Sequence, residues 1–161
     1  MRDDADAVKV VRLSSKDPQA WALMPQIRDR ILAFAITGGD KHPDTLVERV
    51  TAAFVLGLET WVCWVVVRTA DYQVIAHLLA CDDEWNGHPV GFVMQVEAEP
   101  GALSMAAMAA IQGELRAWAK GMGHTRILMS TRRARFRAWA RLFQFTAWRI
   151  IMSDEGFHAD D

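Results

Sequence analysis

Five arginines, Arg132, Arg133, Arg135, Arg137 and Arg141, fall within ten residues. At 100° per residue, Arg133, Arg137 and Arg141 form one i, i+4 row on a helix, while Phe136, Trp139 and Phe143 lie toward another side. Such a row can contact phosphates, dock onto an acidic protein partner, or pair with the chain's own carboxylates as a solvated face. The solvated face is what a charge run most often is. Sequence-specific DNA reading has no support, since neither a helix-turn-helix nor a zinc pattern is present. The nucleophiles are scattered. Cys63, His77 and Cys81 lack metal-ligand spacing, so the expected role of both cysteines is that of small buried hydrophobes. A Cys63–His77 nucleophile pair would need a third group to orient the histidine, and none is evident. His124 follows Gly123 at a helix end and is expected to cap that end or face its dipole. Tyr72 is the only tyrosine. No Gly-Lys-Ser/Thr phosphate loop and no Gly-x-Gly-x-x-Gly occurs.

These groups sit on a chain of 161 residues that is 52% apolar and 24% charged, which suits one compact domain. Seven Trp and seven Phe need a core or a partner to cover them. The net charge of −2 excludes a polybasic chain, but the charge is uneven. From Arg116 to Arg149 there are nine basic residues and no acidic one, whereas the rest holds all twenty carboxylates. Two cysteines cannot build a disulfide framework, and no apolar run is long enough to cross a bilayer. Met1-Arg2-Asp3-Asp4-Ala5-Asp6 is acidic and unlike a signal peptide. A reduced, cytosolic-type soluble domain is expected.

The elements that must position the reactive groups read as follows. Val8 to Leu13 is β-branched and partly alternating, a strand. Asp17 and Pro18 form a helix start, and Trp21, Met24, Ile27, Ile31 and Phe34 continue it at helical spacing. Pro25 predicts a break or kink there, and Gly38-Gly39-Asp40 the end. Pro43 opens a second helix with Leu46, Val47, Val50, Ala53, Phe54 and Leu58 on one face. Trp61 to Val67 is a buried strand and Val74 to Ala80 its hairpin return. Asp82 to Gly87 reads as a loop and His88 to Val96 as a strand. A long helix follows Glu99-Pro100-Gly101 and stops at Gly121-Met122-Gly123. Arg126 to Ser130 is a strand, Arg132 to Leu142 a helix, and Phe145 to Met152 a closing strand.

The order β-α-α-β-β-β-α-β-α-β resembles the GNAT fold, that of the acyl-CoA-dependent N-acetyltransferase superfamily, from Val8 to Met152. The resemblance rests on element order and on the segment from Val90 to Phe145. In texture it is nearest to divergent GNAT-like proteins among the virion and internal-core genes of tailed phages. It implies an α/β chain with a central, mostly antiparallel mixed sheet flanked by helices, one domain over residues 1–153, and an acidic tail over 154–161.

The resemblance also implies where chemistry would sit. In such enzymes the CoA pyrophosphate rests on backbone N–H groups at the start of the helix after the fourth strand, within Arg/Gln-x-x-Gly-x-Gly/Ala. The corresponding stretch, Glu97-Ala98-Glu99-Pro100-Gly101-Ala102-Leu103-Ser104-Met105, has one glycine, no basic residue, and two carboxylates where phosphates would dock. By this resemblance Gly101, Ala102, Leu103 and Ser104 are the cofactor-binding positions, and Arg132, Arg133 or Arg135 would meet the nucleotide phosphate. Glu97 or Glu99 would be the general base. The Tyr that serves as general acid in the family aligns with Trp139, whose indole is no proton source at useful pH. The resemblance therefore implies a catalytically degenerate GNAT-like domain acting as a structural or accessory protein, with a phage virion component as the specific expectation. Its partner would be a protein or a second copy, met through a Trp-rich or Arg-rich surface. The alternative is an active acetyl-CoA-dependent N-acetyltransferase, and the third reading is a nucleic-acid accessory protein using the arginine helix. Cytoplasmic synthesis without a membrane, followed by virion association, is the corresponding location.

Overall fold

The computed structural model describes residues 7–129. Its elements are β1 (Val8–Arg12), α1 (Pro18–Thr37), α2 (Pro43–Leu56), β2 (Trp61–Arg68), β3 (Gln73–Trp85), β4 (His88–Ala98), α3 (Met105–Gly121) and β5 (Arg126–Met129). The expected helix from Arg132, with Arg132, Arg133, Arg135 and Trp139, lies outside the described residues, as do the closing strand and the tail from residue 154.

The described strands form one sheet in the order β1-β2-β3-β4-β5. The first three pairings are antiparallel and β4–β5 is parallel. This is a mixed α/β architecture with helices on both faces. Against one face α1 and α2 bury Ile27, Ile31, Val47 and Val50 on Cys63, Val65, Val74 and Leu79. Against the other, α3 buries Met108, Ile111, Leu115 and Trp118 on Trp64, Leu78 and Val93.

α1 is one uninterrupted helix, contrary to the break expected at Pro25. An interior proline costs about 3 kcal/mol. Fully burying Ile27 and Ile31, each at 0% exposure, returns about 1.5–3 kcal/mol apiece, so packing on the sheet outweighs the lost hydrogen bond. Asp17 caps the start as expected, its side chain accepting from the Gln19 N–H. β3 also runs past the expected boundary. Asp82 to Trp85 pair with β4 residues Gly91 to His88, so this stretch is strand and not loop. Only Asn86 and Gly87 turn the chain, both at positive φ (52° and 77°), which suits an Asn-Gly hairpin.

Two bulges set which side chains face which helices. Val66 pairs with Ala76 but Val67 with Val74, so Ile75 is the extra residue. Leu79 pairs with Gln95 but Ala80 with Val93, so Met94 is extra on β4. A bulge shifts the phase of alternation. Val93, Val96 and Ala98 therefore lie on the α3 face, and Gln95, Glu97 and Glu99 lie on the α1 face.

Candidate active site

His77 on β3 and Glu97 on β4 are direct cross-strand partners. Side chains opposite one another on adjacent strands project to the same face, so both meet the underside of α1. Three side chains of α1 one turn apart, Gln26, Arg30 and Phe34, reach the sheet there. Gln26 accepts from the Val74 N–H at 2.9 Å and donates to the Tyr72 carbonyl at 3.2 Å. Arg30 spans both carboxylates: Nη1 lies 2.9 Å from Glu97 Oε2 and Nη2 2.6 Å from Glu99 Oε1. Arg68 stands beyond, 3.7 Å from Glu99 Oε2 and 2.9 Å from Asp71 Oδ2. Phe34 meets the His77 ring edge-on at 6.2 Å.

His77 is buried, with its two nitrogens differently engaged. Nε2 is 3.0 Å from Gln95 Oε1, and Gln95 Nε2 donates to the Ile31 carbonyl at 3.2 Å. Nδ1 is 3.2 Å from Glu97 Oε2, within ion-pair range but without the alignment of a hydrogen bond. Glu97 is held down near a pKa of about 2: the His77 contact is the largest cause, partial burial opposes it, and the Arg30 guanidinium adds to it.

The sequence-predicted cofactor segment follows directly. Gly101 adopts φ 76°, and the Ala102 N–H donates to the Glu99 carbonyl. Ala102 and Leu103 pack against the α3-side core. Ser104 caps α3, its Oγ accepting from the Ala107 N–H at 3.1 Å. Glu97 and Glu99 are thus brought together by Arg30, and Gly101 to Ser104 form the passage from β4 into α3. Glu97 and Glu99 turn toward α1 and are paired with cations, so they do not stand as free negative charges before the α3 N-terminus, as the linear sequence suggested.

Arg30, Arg68 and Gln95 were not singled out from sequence, and His77 was noted only beside Cys63. The available signal was a polar residue inside an apolar strand, His77 within Val74–Ala80 and Gln95 within Val93–Val96, because such residues are buried only with partners. The Cys63–His77 pair does not form as a nucleophile site. His77 is committed to Gln95 and Glu97, and burial pushes the Cys63 thiol up to about 12. Cys81 also rises to about 12, through burial and then the charges of Asp83 and Asp82. No candidate metal cluster occurs among the described residues. His124 does cap α3 with its backbone N–H, which donates to the Ala119 carbonyl. Its ring, however, contacts Asp82 at 2.6 Å and stacks edge-on with Trp118, at the opposite end of the sheet.

No family model matches the chain, and no curated protein does. Solved structures do match. A predicted acetyltransferase from Clostridium acetobutylicum, solved with acetyl-CoA, is 15% identical with a TM-score of 0.62, covering 96% of each chain. AAC(6')-Iy in complex with a CoA-S-monomethyl-acetylneamine bisubstrate analogue gives 13% and 0.63, covering 94% of this chain and 99% of that one. Glucosamine-6-phosphate N-acetyltransferase from Arabidopsis thaliana gives 12% and 0.60, covering 92% and 97%. The fold is GNAT-like. At these identities the likeness extends to the fold alone.

Among the described residues the parallel pairing runs from Val90–Arg126 to Val93–Met129, and β4 continues past it from the carboxyl end of that pair, the end at which open α/β sheets bind ligands. A CoA carrier implied by the fold fits the described residues poorly. The segment from Glu97 to Met105 supplies backbone and a helix start but no cation, and the nearby Arg30 and Arg68 are engaged by Glu97, Glu99 and Asp71. Glu97, ionised and clamped, is a weak proton acceptor.

Proposed function

We propose that this chain is a GNAT-like domain that works as a structural or accessory protein and not as a conventional acetyltransferase. The observation that carries the reading is the engagement of Glu97 by His77 and Arg30, with Arg30 reaching on to Glu99. A general base works best with a pKa near the operating pH. A carboxylate held near 2 is about five units below neutrality, and each unit is about 1.4 kcal/mol of lost proton affinity. The cation-free segment from Glu97 to Met105 and the Trp at the position of the family's Tyr support the same reading.

The partner in this reading is a protein assembly, of the virion kind that the sequence resemblance implies. Trp21, Val55, Leu56 and Leu58 leave 48–69% of their surface exposed on and just beyond α1 and α2, which suits a protein contact. Calorimetric titration of the full chain with acetyl-CoA and CoA tests the proposal. No heat and no thermal shift are expected, whereas saturable binding with a raised melting temperature would overturn it.

A second reading, an active acyl-CoA N-acyltransferase, is favoured by one feature. The Met94 bulge and the Ser104-capped start of α3 lie at the carboxyl end of the parallel strand pair. Under it Glu97 or Glu99 is the base, Gly101 to Ser104 hold pyrophosphate, and Arg132, Arg133 or Arg135 meet the nucleotide phosphate. Acetyl transfer that collapses in a Glu97→Gln, Glu99→Gln double variant is its signature.

A further inference from the structure

We propose that His77 is a buried imidazolium, sealed between Gln95 and Glu97, and that it stores one proton that fixes the end of β4 under α1. The inference does not depend on the function proposed above, since the pair would exist in an active or an inactive domain.

The first support is a chain of donors and acceptors with only one consistent assignment. The Ile31 carbonyl can only accept, so the Gln95 atom facing it at 3.2 Å must be the amide nitrogen. The other end of that amide, 3.0 Å from His77 Nε2, is then an oxygen and also accepts, so Nε2 must carry a hydrogen. If the ring were neutral, Nδ1 would be a bare lone pair. It lies 3.2 Å from Glu97 Oε2, which the Arg30 guanidinium at 2.9 Å holds as a carboxylate, so an unpartnered lone pair would stand beside an anion in a site with 0% side-chain exposure for His77. That arrangement is costly, because a buried acceptor without a donor loses its hydration with nothing in return. A proton on Nδ1 converts the repulsion into an ion pair.

The second support is charge balance. The groups facing His77 are Glu97 and Gln95 from β4, Arg30, the Ile31 carbonyl and the Phe34 ring from α1, and the uncharged Val65 from β2. Through Arg30 the cluster continues to Glu99, Arg68 and Asp71. Two guanidiniums thus face three carboxylates, and one further positive charge makes the cluster neutral. Among the described residues of the cluster, His77 is the group left to supply it.

The amide of Gln95 cannot pass a proton onward, and the Ile31 carbonyl ends the chain. His77 therefore exchanges its proton only through Nδ1, toward Glu97. This makes the pair a strut and not a relay. His77 is a positioning residue for Glu97, and Gln95 a positioning residue for His77.

Nitrogen-15 spectra of the full chain, with ring signals assigned through the backbone, test this. At pH 7 both His77 nitrogens are expected to be protonated, with N–H protons that exchange slowly. In Glu97→Gln the side-chain amide can donate to Nδ1. His77 is then expected to become neutral, keeping its hydrogen on Nε2 and losing the one on Nδ1. A merely structural role would not move these signals between protonation states. A wild-type ring with a single protonated nitrogen at pH 7 would overturn the proposal, as would a Glu97→Gln ring still protonated on both. If Glu97→Gln fails to fold, the wild-type spectrum alone decides.

Discussion

Replacing Arg30 with methionine keeps most of the aliphatic stem in contact with the sheet and removes only the guanidinium. Two ion pairs vanish, at 2.9 Å to Glu97 and 2.6 Å to Glu99. Breaking a fully buried pair costs about 3–5 kcal/mol, and an exposed one about 0–1. Arg30 has 17% side-chain exposure and its partners 34% and 38%, so the expected loss is intermediate, about 2 kcal/mol. For a chain of this size that lowers the melting temperature by about 4–8 °C. Urea unfolding followed by circular dichroism would read it as a lower midpoint with an unchanged slope. The same physics predicts a rescue. Glu97 keeps its contact with His77 in that variant, whereas Glu99 is left with Arg68 at 3.7 Å, so adding Glu99→Gln removes the stranded charge and part of the loss should return. An Arg30→Met protein within about 0.5 kcal/mol of wild type, or a double variant no more stable than the single one, would refute the clamp.

Glu97, with its pKa lowered to about 2, stabilises the fold fully above its unfolded value near 4.5, and that contribution is lost as pH falls from 4.5 through 2. After allowance for solvent screening at a one-third-exposed carboxylate it amounts to about 1–2 kcal/mol, and urea midpoints measured across this range should be flatter in Glu97→Gln. A Cβ at Gly91 would lie 2.9 Å from the Trp118 ring and 3.1 Å from His124 Nδ1, so Gly91→Ala should cost about 1–3 kcal/mol and shift tryptophan fluorescence. The Cys63 and Cys81 thiols, pushed up to about 12, should resist a thiol-specific reagent at pH 8 in the native protein and both react in urea.

Much of the scaffold was legible because its signals are local. Asp17-Pro18 opens α1, Pro43 opens α2, and the β-branched run Trp61–Val67 becomes β2, each from the residues on the spot, although α2 stops at Leu56, short of the expected Leu58. Where the reading slipped, a distant contact had overruled a local preference. Pro25 signals a break, but Ile27 and Ile31 on the sheet hold the helix through it. Asp82-Asp83-Glu84 look like a loop by polarity, yet ladder pairing with Gly91 to Pro89 makes them strand, because the Asn-Gly turn needs only two residues.

The site was less legible for a reason that Met94 makes concrete. By simple alternation from Val93, which faces α3, Gln95 and Glu97 would face α3 as well. Two carboxylates at Glu97 and Glu99 would then sit before the helix that follows, as a repulsive entrance. The single extra residue at Met94 turns both to the opposite face, where Arg30, sixty-seven positions earlier than Glu97, waits on α1. Neither the bulge nor the partner leaves a local mark: Met94 is one apolar residue in an apolar strand, and Arg30 looks like any solvated helix arginine. Carboxylates that read as a threat to a bound anion are therefore internal struts. Arg30 and Arg68, the described cations that reach this stretch, are occupied by these struts.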